Sequence, residues 1–316
     1  MDGKKNKIGI VGLGPIGLIL AVHFKEAGCN VALCDIVKDK MELIRNKGIQ
    51  LEGKINRSSL FDNIYTSVNE MLNDGLDILV FSVKANKACG VLNQMVVKNK
   101  DMCVLIAQNG IGVEEKFRPV FDESNICRMV INFAGNLNAP NIANVSFFNP
   151  PNYVSSVNNA KQDLAQRIAD KLNSVDLETK CVGSSVLKDT VWEKVILNCG
   201  LSALCASTGL TMKEAMKFPE TYELARQAVI EGVEVARAEG VKLKDDFVDF
   251  SMAYYANAGD HYPSLAIDLM NKRETEIEFI NQKIVDYGRK HNIRTDVNLS
   301  LTNIVKAITH RNILRD

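Results

Sequence analysis

The sequence predicts an α/β protein, a doubly wound parallel sheet followed by an all-helical domain, and three observations carry that expectation. Short β-rich runs alternate with helix-period segments through the first half; a glycine-rich turn joins the first run to the first helix; from about Val186 long helical segments follow one another without strand-like alternation.

Residues 7–12, 30–35, 77–83, 102–107 and 126–132 read as strands. The middle three are nearly continuous apolar runs, the pattern of strands covered on both faces. Residues 15–27, 38–47 and 86–97 have helical spacing, and 138–152, rich in Asn and Pro, reads as loop or irregular strand. Helices are expected over 186–207, 222–239, 265–291 and 298–312, with Gly240 and Gly288 near helix ends. The expected domains are 1–185 and 186–316.

Of the 316 residues 46% are hydrophobic and 24% charged, and 38 Lys and Arg balance 38 Asp and Glu. A net charge of zero argues against a nucleic-acid binder, which needs a cationic face. The eight cysteines form no C-x-x-C pair and no zinc spacing with the four histidines, so no metal site is expected. Thiols inside apolar runs suit a reducing, cytoplasmic compartment. Lys4, Lys5 and Lys7 before the apolar run 8–22 imitate a signal peptide, but glycines and Pro15 interrupt that run. It is also too short to span a bilayer, and no membrane partner is expected.

Gly12-Leu13-Gly14-Pro15-Ile16-Gly17 follows a strand and opens a helix. Glycines at this spacing permit a tight turn, backbone approach to a pyrophosphate, and close helix–strand packing. The reading is a Rossmann-type dinucleotide site for NAD(P)H; FAD and an empty glycine loop are the alternatives. Asp35 ends the second strand, where a carboxylate binds both ribose hydroxyls of NAD and repels the phosphate of NADP, favouring NADH. Lys38 and Lys40 follow within reach of a phosphate, and Asp35 could equally cap the next helix.

The segment around Trp192 is apolar nearly all round, yet it carries Lys194 and Asn198 four residues apart on one face. A lysine in such surroundings loses hydration, and its pKa falls toward the range useful for proton transfer. A lysine snorkelling from a core helix fits the pattern equally well. A second cluster holds Ser264 and Asp268, then Thr275-Glu276-Ile277-Glu278. By itself Ser264 suits an N-cap and Glu276 one of three solvated acids. Lys84 and Asn109 sit at carboxyl ends of strands, where open α/β sheets place ligands; the Asn109-Gly110 pair also suits an ordinary turn. His23 lies inside a helix, and His291 and His310 fall near late helix ends. Only His261 competes with Lys194 as proton donor.

These motifs, with V-K at 83–84, Q-N-G-I-G at 108–112, W-E-K-V-I-L-N at 192–198 and P-S-L-A-I-D…R-E-T-E-I-E-F-I-N at 263–281, resemble the ketopantoate reductases (2-dehydropantoate 2-reductases) over nearly the whole chain. The resemblance implies a helical second domain of the 6-phosphogluconate dehydrogenase C-terminal-like type and an active site in the interdomain cleft. It implies reduction of a small 2-oxo acid, 2-dehydropantoate first among them, with Lys194 protonating the alkoxide. Asn198 and Ser264 would hold the substrate, with Ser202 and Asp268 beside them. Glu276 would orient the substrate and pair with the lysine, while Lys84 and Asn109 would serve the cofactor. A homodimer through the helical domain is also implied. Ser202 stands where the family often has Asn, and Asp35 where NADPH-using members commonly lead into a basic residue. A hydroxy-acid or opine-type dehydrogenase is the alternative enzyme. A dinucleotide-sensing module without turnover is the alternative outside catalysis.

Overall fold

A computed structural model describes residues 6–314; Lys4 and Lys5 lie outside the described residues. The chain forms two compact units, Met1–Gln108 with Val113–Leu187, and Asn109–Gly112 with Lys188–Asp316.

The first unit contains strands β1 (Lys7–Val11), β2 (Asn30–Cys34), β3 (Ile49–Gly53), β4 (Arg57–Ser59), β5 (Asn63–Tyr65), β6 (Ile78–Phe81), β7 (Cys103–Ile106), β8 (Ile126–Val130), β9 (Phe133–Ala139), β10 (Ile142–Phe148), β11 (Asn152–Ser156) and β12 (Thr179–Cys181). Helices α1 (Pro15–Glu26), α2 (Lys38–Lys47), α3 (Val68–Asn73), α4 (Ala88–Leu92) and α5 (Gln162–Asn173) connect them. Eight strands form one sheet in the order β12-β11-β8-β7-β6-β1-β2-β5. From β5 to β8 the neighbours are parallel, β11 runs against β8, and β12 lies parallel to β11. Strand order reverses between β1 and β6, so the turn after β1 lies at the switch point where such sheets bind ligands.

A second, four-stranded sheet, β4-β3-β10-β9, is absent from the sequence reading. Residues 138–152, expected as loop or irregular strand, take the irregular-strand form. The antiparallel β9–β10 pair shifts register at Ile142/Ala143 and Val145/Phe147. The expected helix over 86–97 shrinks to a 3-10 turn (Ala85–Lys87) and α4, where Gly90 weakens helix propensity.

In the second unit α6 (Ser184–Thr208), which starts at the end of the first, leads to α7 (Met212–Ala215), α8 (Pro219–Ala238), α9 (Phe247–Ala256), α10 (Ser264–Met270), α11 (Asn281–Lys290) and α12 (Asp296–Leu314). The single helix expected over 265–291 is broken. The Asn271 side chain donates to the Ile267 carbonyl at 2.7 Å, and Lys272 adopts a left-handed φ of 54°, ending α10. A 3-10 turn (Ile277–Phe279) intervenes before α11. Gly240, at φ 75°, ends α8 as expected. Gly288 also falls near a helix end, in the last turn of α11 but without a left-handed φ, and a Cβ there would press on Thr295 Cγ2 at 2.7 Å.

A buried polar network ties this unit together. Glu231 of α8 accepts the Val297 and Asn298 N–H groups at 2.9 Å each, at the start of α12. Its charge meets a helix N-terminus, a favourable placement. Asn298 donates to the same carboxylate at 2.7 Å and to the Ala228 carbonyl at 3.0 Å. Asn281 of α11 donates to Asn298 Oδ1 at 2.9 Å and to the Cys199 carbonyl at 3.0 Å, joining α6.

Helix α1 packs on β1 and β2 on one side and on β3, β4, β9 and β10 on the other. That explains why residues 17–24 are all buried, and why this run looks like a signal peptide. Leu18, Ile19, Leu20, Val22 and Phe24 are fully buried, a gross gain on the order of 10 kcal/mol. His23 shares that burial, with Nδ1 2.7 Å from the Ile19 carbonyl oxygen. Burial holds its pKa below the ordinary histidine value, against the opposing effect of the Ile19 hydrogen bond. The unfolded chain therefore takes up a proton near pH 6.5 that the folded chain refuses. Stability is full above that pH and falls as pH drops toward the lower folded value. His23→Phe should flatten this fall, read as a smaller loss of urea midpoint between pH 7.5 and pH 5 than in the parent. An equal loss in both would contradict the assignment.

Candidate functional site

The turn out of β1 is built from three glycines with different duties. Gly12 adopts a φ of 87°, and a Cβ there would meet the Val83 backbone nitrogen at 2.7 Å. A Cβ on Gly17 would run into the Gly12 carbonyl oxygen. Gly14 has an ordinary extended backbone, and a Cβ would meet nothing within 4 Å. The fold itself requires Gly12 and Gly17; at Gly14 the space is left to whatever approaches the backbone. Pro15 opens α1, Gly14 is its N-cap, and no side chain caps it. The N–H groups of Ile16 and Gly17 at this helix end therefore suit a phosphate. The whole arrangement fits the diphosphate of a dinucleotide. Ser82 Oγ donates to the Gly12 carbonyl at 2.7 Å, and Gln108 Nε2 donates to the Val83 carbonyl, so the ends of β6 and β7 brace the turn.

Asp35 follows β2 directly. Its Oδ2 accepts the Leu13 N–H at 2.9 Å and its Oδ1 the Val37 N–H at 3.2 Å. Val37, with no side-chain bond, is the N-cap of α2, so Asp35 does not fill that position. Lys38 is exposed. Lys40 is buried, donates to the Leu13 carbonyl, and has Nζ 3.5 Å from Asp35 Oδ2. It is committed inward rather than free to extend to a phosphate. Burial lowers its pKa below the usual lysine range, while the Asp35 charge opposes that shift. Lys84, exposed after β6, begins the 3-10 turn that leads into α4.

In the second unit α6 is a largely buried rod. Val191, Trp192, Val195, Ile196, Cys199, Leu201, Ala203, Leu204 and Cys205 are all buried. Lys194 and Asn198 are half-buried and Ser202 is buried, a row at successive four-residue steps on one face. Trp192 meets Tyr287 edge-on at 5.2 Å between ring centroids. The fully buried Tyr255 donates its hydroxyl to the Leu197 carbonyl at 2.8 Å, and Gly200 makes room for that ring. A glycine inside a helix signals a close approach, but the sequence does not say that Tyr255 is what approaches Gly200.

The Asn109–Gly112 segment packs in this same unit. The Ile111 N–H donates to the Phe279 carbonyl at 2.9 Å, and a Cβ on Gly110, at φ 106°, would collide with Phe279. Asn109, half-buried, and Glu276 thus stand on segments that touch two and three residues away. Of the three acids in that stretch, Glu276 is half-buried while Glu274 and Glu278 are exposed, Glu278 facing Lys306 at 3.2 Å. Pro263, not Ser264, is the N-cap of α10; Ser264 is its exposed first residue. Asp268, one turn on, is buried with a carboxylate oxygen 3.4 Å from Arg273 Nε.

The other reactive groups are variously bonded, exposed or deeply buried. His291 bonds Glu239, and His261 and His310 are exposed. Burial pushes the thiols of Cys34, Cys127 and Cys205 up to about 12, far from a nucleophile's range. Among the described residues no group of His, Cys, Asp and Glu could hold a metal ion, and no helix is long and apolar enough to cross a membrane. A cavity of about 560 Å³ lined by Lys100, Asp101, Arg118 and Lys161 lies near the starts of β7 and β8, the opposite edge from the glycine turn.

Residues 8–158 match the family model for Ketopantoate reductase PanE/ApbA, and residues 186–309 match that for its C-terminal part. The 2-dehydropantoate 2-reductase of Streptococcus pyogenes serotype M6 is 26% identical over 301 residues, 94% of this chain and 96% of that one. A D-mandelate dehydrogenase solved with NADH and anilino(oxo)acetate superposes with a TM-score of 0.86 at 24% identity, covering 97% of this chain and 99% of the other. A dimeric ketopantoate reductase from Staphylococcus aureus gives 0.76 at 21% identity, covering 97% and 99%. At these identities the solved structures speak to the fold alone. With both family models matched in order over most of its length, the chain belongs to the ketopantoate reductase family.

Proposed function

We propose that this protein reduces a 2-oxo acid to the 2-hydroxy acid with NAD(P)H, 2-dehydropantoate to pantoate being the leading reaction. The Lys194–Asn198–Ser202 row carries the reading: an ammonium fixed on an apolar helix, with hydrogen-bonding side chains one and two turns along. When bound, the reduced nicotinamide supplies a hydride to the keto carbon. As the carbonyl electron pair moves to oxygen, Lys194 donates the proton that completes the hydroxyl. Its positive charge is worth most where negative charge develops in the transition state.

Asn198, Ser202 and Ser264 hold the substrate carboxylate and hydroxyl. Glu276 orients the substrate and balances the ammonium. Asp268, also on the substrate side, acts through Arg273, since a bare carboxylate would repel an anionic acid. On the dinucleotide side Gly12, Gly14, Pro15, Ile16 and Gly17 form the phosphate cradle, and Lys84 and Asn109 complete the contacts. Asp35 takes a ribose hydroxyl and favours NADH. The protein is proposed to be a homodimer, as the S. aureus relative is, and to work in the cytoplasm, where its eight free thiols stay reduced.

A panel of 2-oxo acids, 2-dehydropantoate included, assayed with NADH and NADPH by loss of absorbance tests the reading. Turnover of 2-dehydropantoate is expected; no oxidation of either dinucleotide with any acid would overturn it. Lys194→Ala should lower turnover roughly a hundredfold or more while dinucleotide affinity stays near the parent's. Unchanged steady-state rates would remove Lys194 from the chemistry. Gly14→Ala should keep the parent's melting temperature yet weaken dinucleotide binding by at least about tenfold. Gly17→Ala, by contrast, should cost about 1–3 kcal/mol of stability because its Cβ has no room. Equal behaviour of the two glycine variants would contradict the cradle.

A further inference from the structure

Both backbone groups of Leu13, the residue between the first two motif glycines, are gripped by a buried ion pair. Asp35 accepts its N–H at 2.9 Å and Lys40 donates to its carbonyl. The pair is nearly dry, with side-chain exposures of 14% for Asp35 and 9% for Lys40. An ionised carboxylate has about four acceptor positions. The Leu13 N–H, the Val37 N–H and the Lys40 ammonium occupy three of them. One direction is therefore left for a ribose hydroxyl, and the charge behind it is already matched.

We propose that Lys40 determines how strongly the protein distinguishes NADH from NADPH, by neutralising Asp35 from the side away from solvent. This rests on the dinucleotide reading above. An isolated carboxylate would repel a 2′-phosphate outright. A carboxylate with an ammonium 3.5 Å behind it presents a dipole, whose field falls off faster with distance, so the phosphate is opposed only weakly. Exposed Lys38, three residues past Asp35, adds a positive charge on the solvent side. Lys40 thus acts through Asp35, as a positioning and charge-balancing residue, without needing to touch the nucleotide.

The test is direct titration of NADH and NADPH into the full chain, followed by nicotinamide fluorescence, for the parent, Lys40→Met, Asp35→Asn and the double variant. Lys40→Met leaves the carboxylate uncompensated and should raise the NADPH/NADH ratio of dissociation constants roughly tenfold. Asp35→Asn leaves the ammonium uncompensated and should move the ratio the other way. In the double variant the ratio should return close to the parent's, and the single-variant shifts should shrink at high salt. A ratio unmoved in both single variants, or moved in the same direction, would overturn the proposal. So would a common weakening of both dinucleotides at constant ratio, which is what a purely structural clamp would give. If Lys40→Met does not fold, Lys40→Gln and the Asp35→Asn arm decide the matter. A parent that binds neither dinucleotide would overturn the functional reading itself, an outcome distinct from a parent that binds both without response to Lys40.

Discussion

Helix α1 has a sheet on either side and a turn without side chains at its head, and each property requires the other. A helix covered on both faces has little room for polar side chains, so from Gly17 to Phe24 only His23 departs from the apolar pattern, with its Nδ1 against the Ile19 carbonyl. Its N-terminus must then be satisfied from outside, because no neighbouring side chain caps it. Gly17 lets the helix start directly on the Gly12 carbonyl, and Ser82, Gln108, Asp35 and Lys40 hold the turn from behind. What is left open is a backbone surface of N–H groups at the switch point of the sheet.

The second unit holds its longest helix in a fixed bearing. Helix α6 is pinned through its own carbonyls by Tyr255 and Asn281, and through Trp192 by Tyr287. Such a rod cannot rotate without breaking buried hydrogen bonds, each costing about 1–3 kcal/mol when left unsatisfied. Side chains carried on it therefore keep their bearing. Lys194 and Asn198 ride on a helix held in this way, which is the support that the proton-donor role proposed for Lys194 requires.

Much of this was legible in the sequence, for identifiable reasons. The parallel strands announce themselves as apolar runs, and the G-x-G-x-x-G sits where only a strand–turn–helix could hold it. The row Lys194, Asn198, Ser202 follows from helical spacing alone. The small sheet was not legible because β3 alternates over only Ile49 to Glu52, β4 is three polar or charged residues, and β10 is bulged. The break between α10 and α11 is masked in the sequence because Ile277, Ile280 and Ile284 continue a helical stripe across a 3-10 turn. The Asn109–Gly112 segment follows a strand of the first unit yet packs on Phe279, a long-range contact that no local pattern encodes. That Lys40 turns inward is not encoded locally, because charge alone gives no sign of which way a lysine points.

Glu231 gives the end of the chain an importance that its position would not suggest. The anion is matched by backbone dipoles that exist only while residues 297 and 298 begin a helix. Trimming the polypeptide ahead of that point would strand a buried negative charge that, among the described residues, has no lysine or arginine against it. The final nineteen-residue helix is therefore the counter-electrode of an acid donated sixty-six positions earlier, and not a detachable tail.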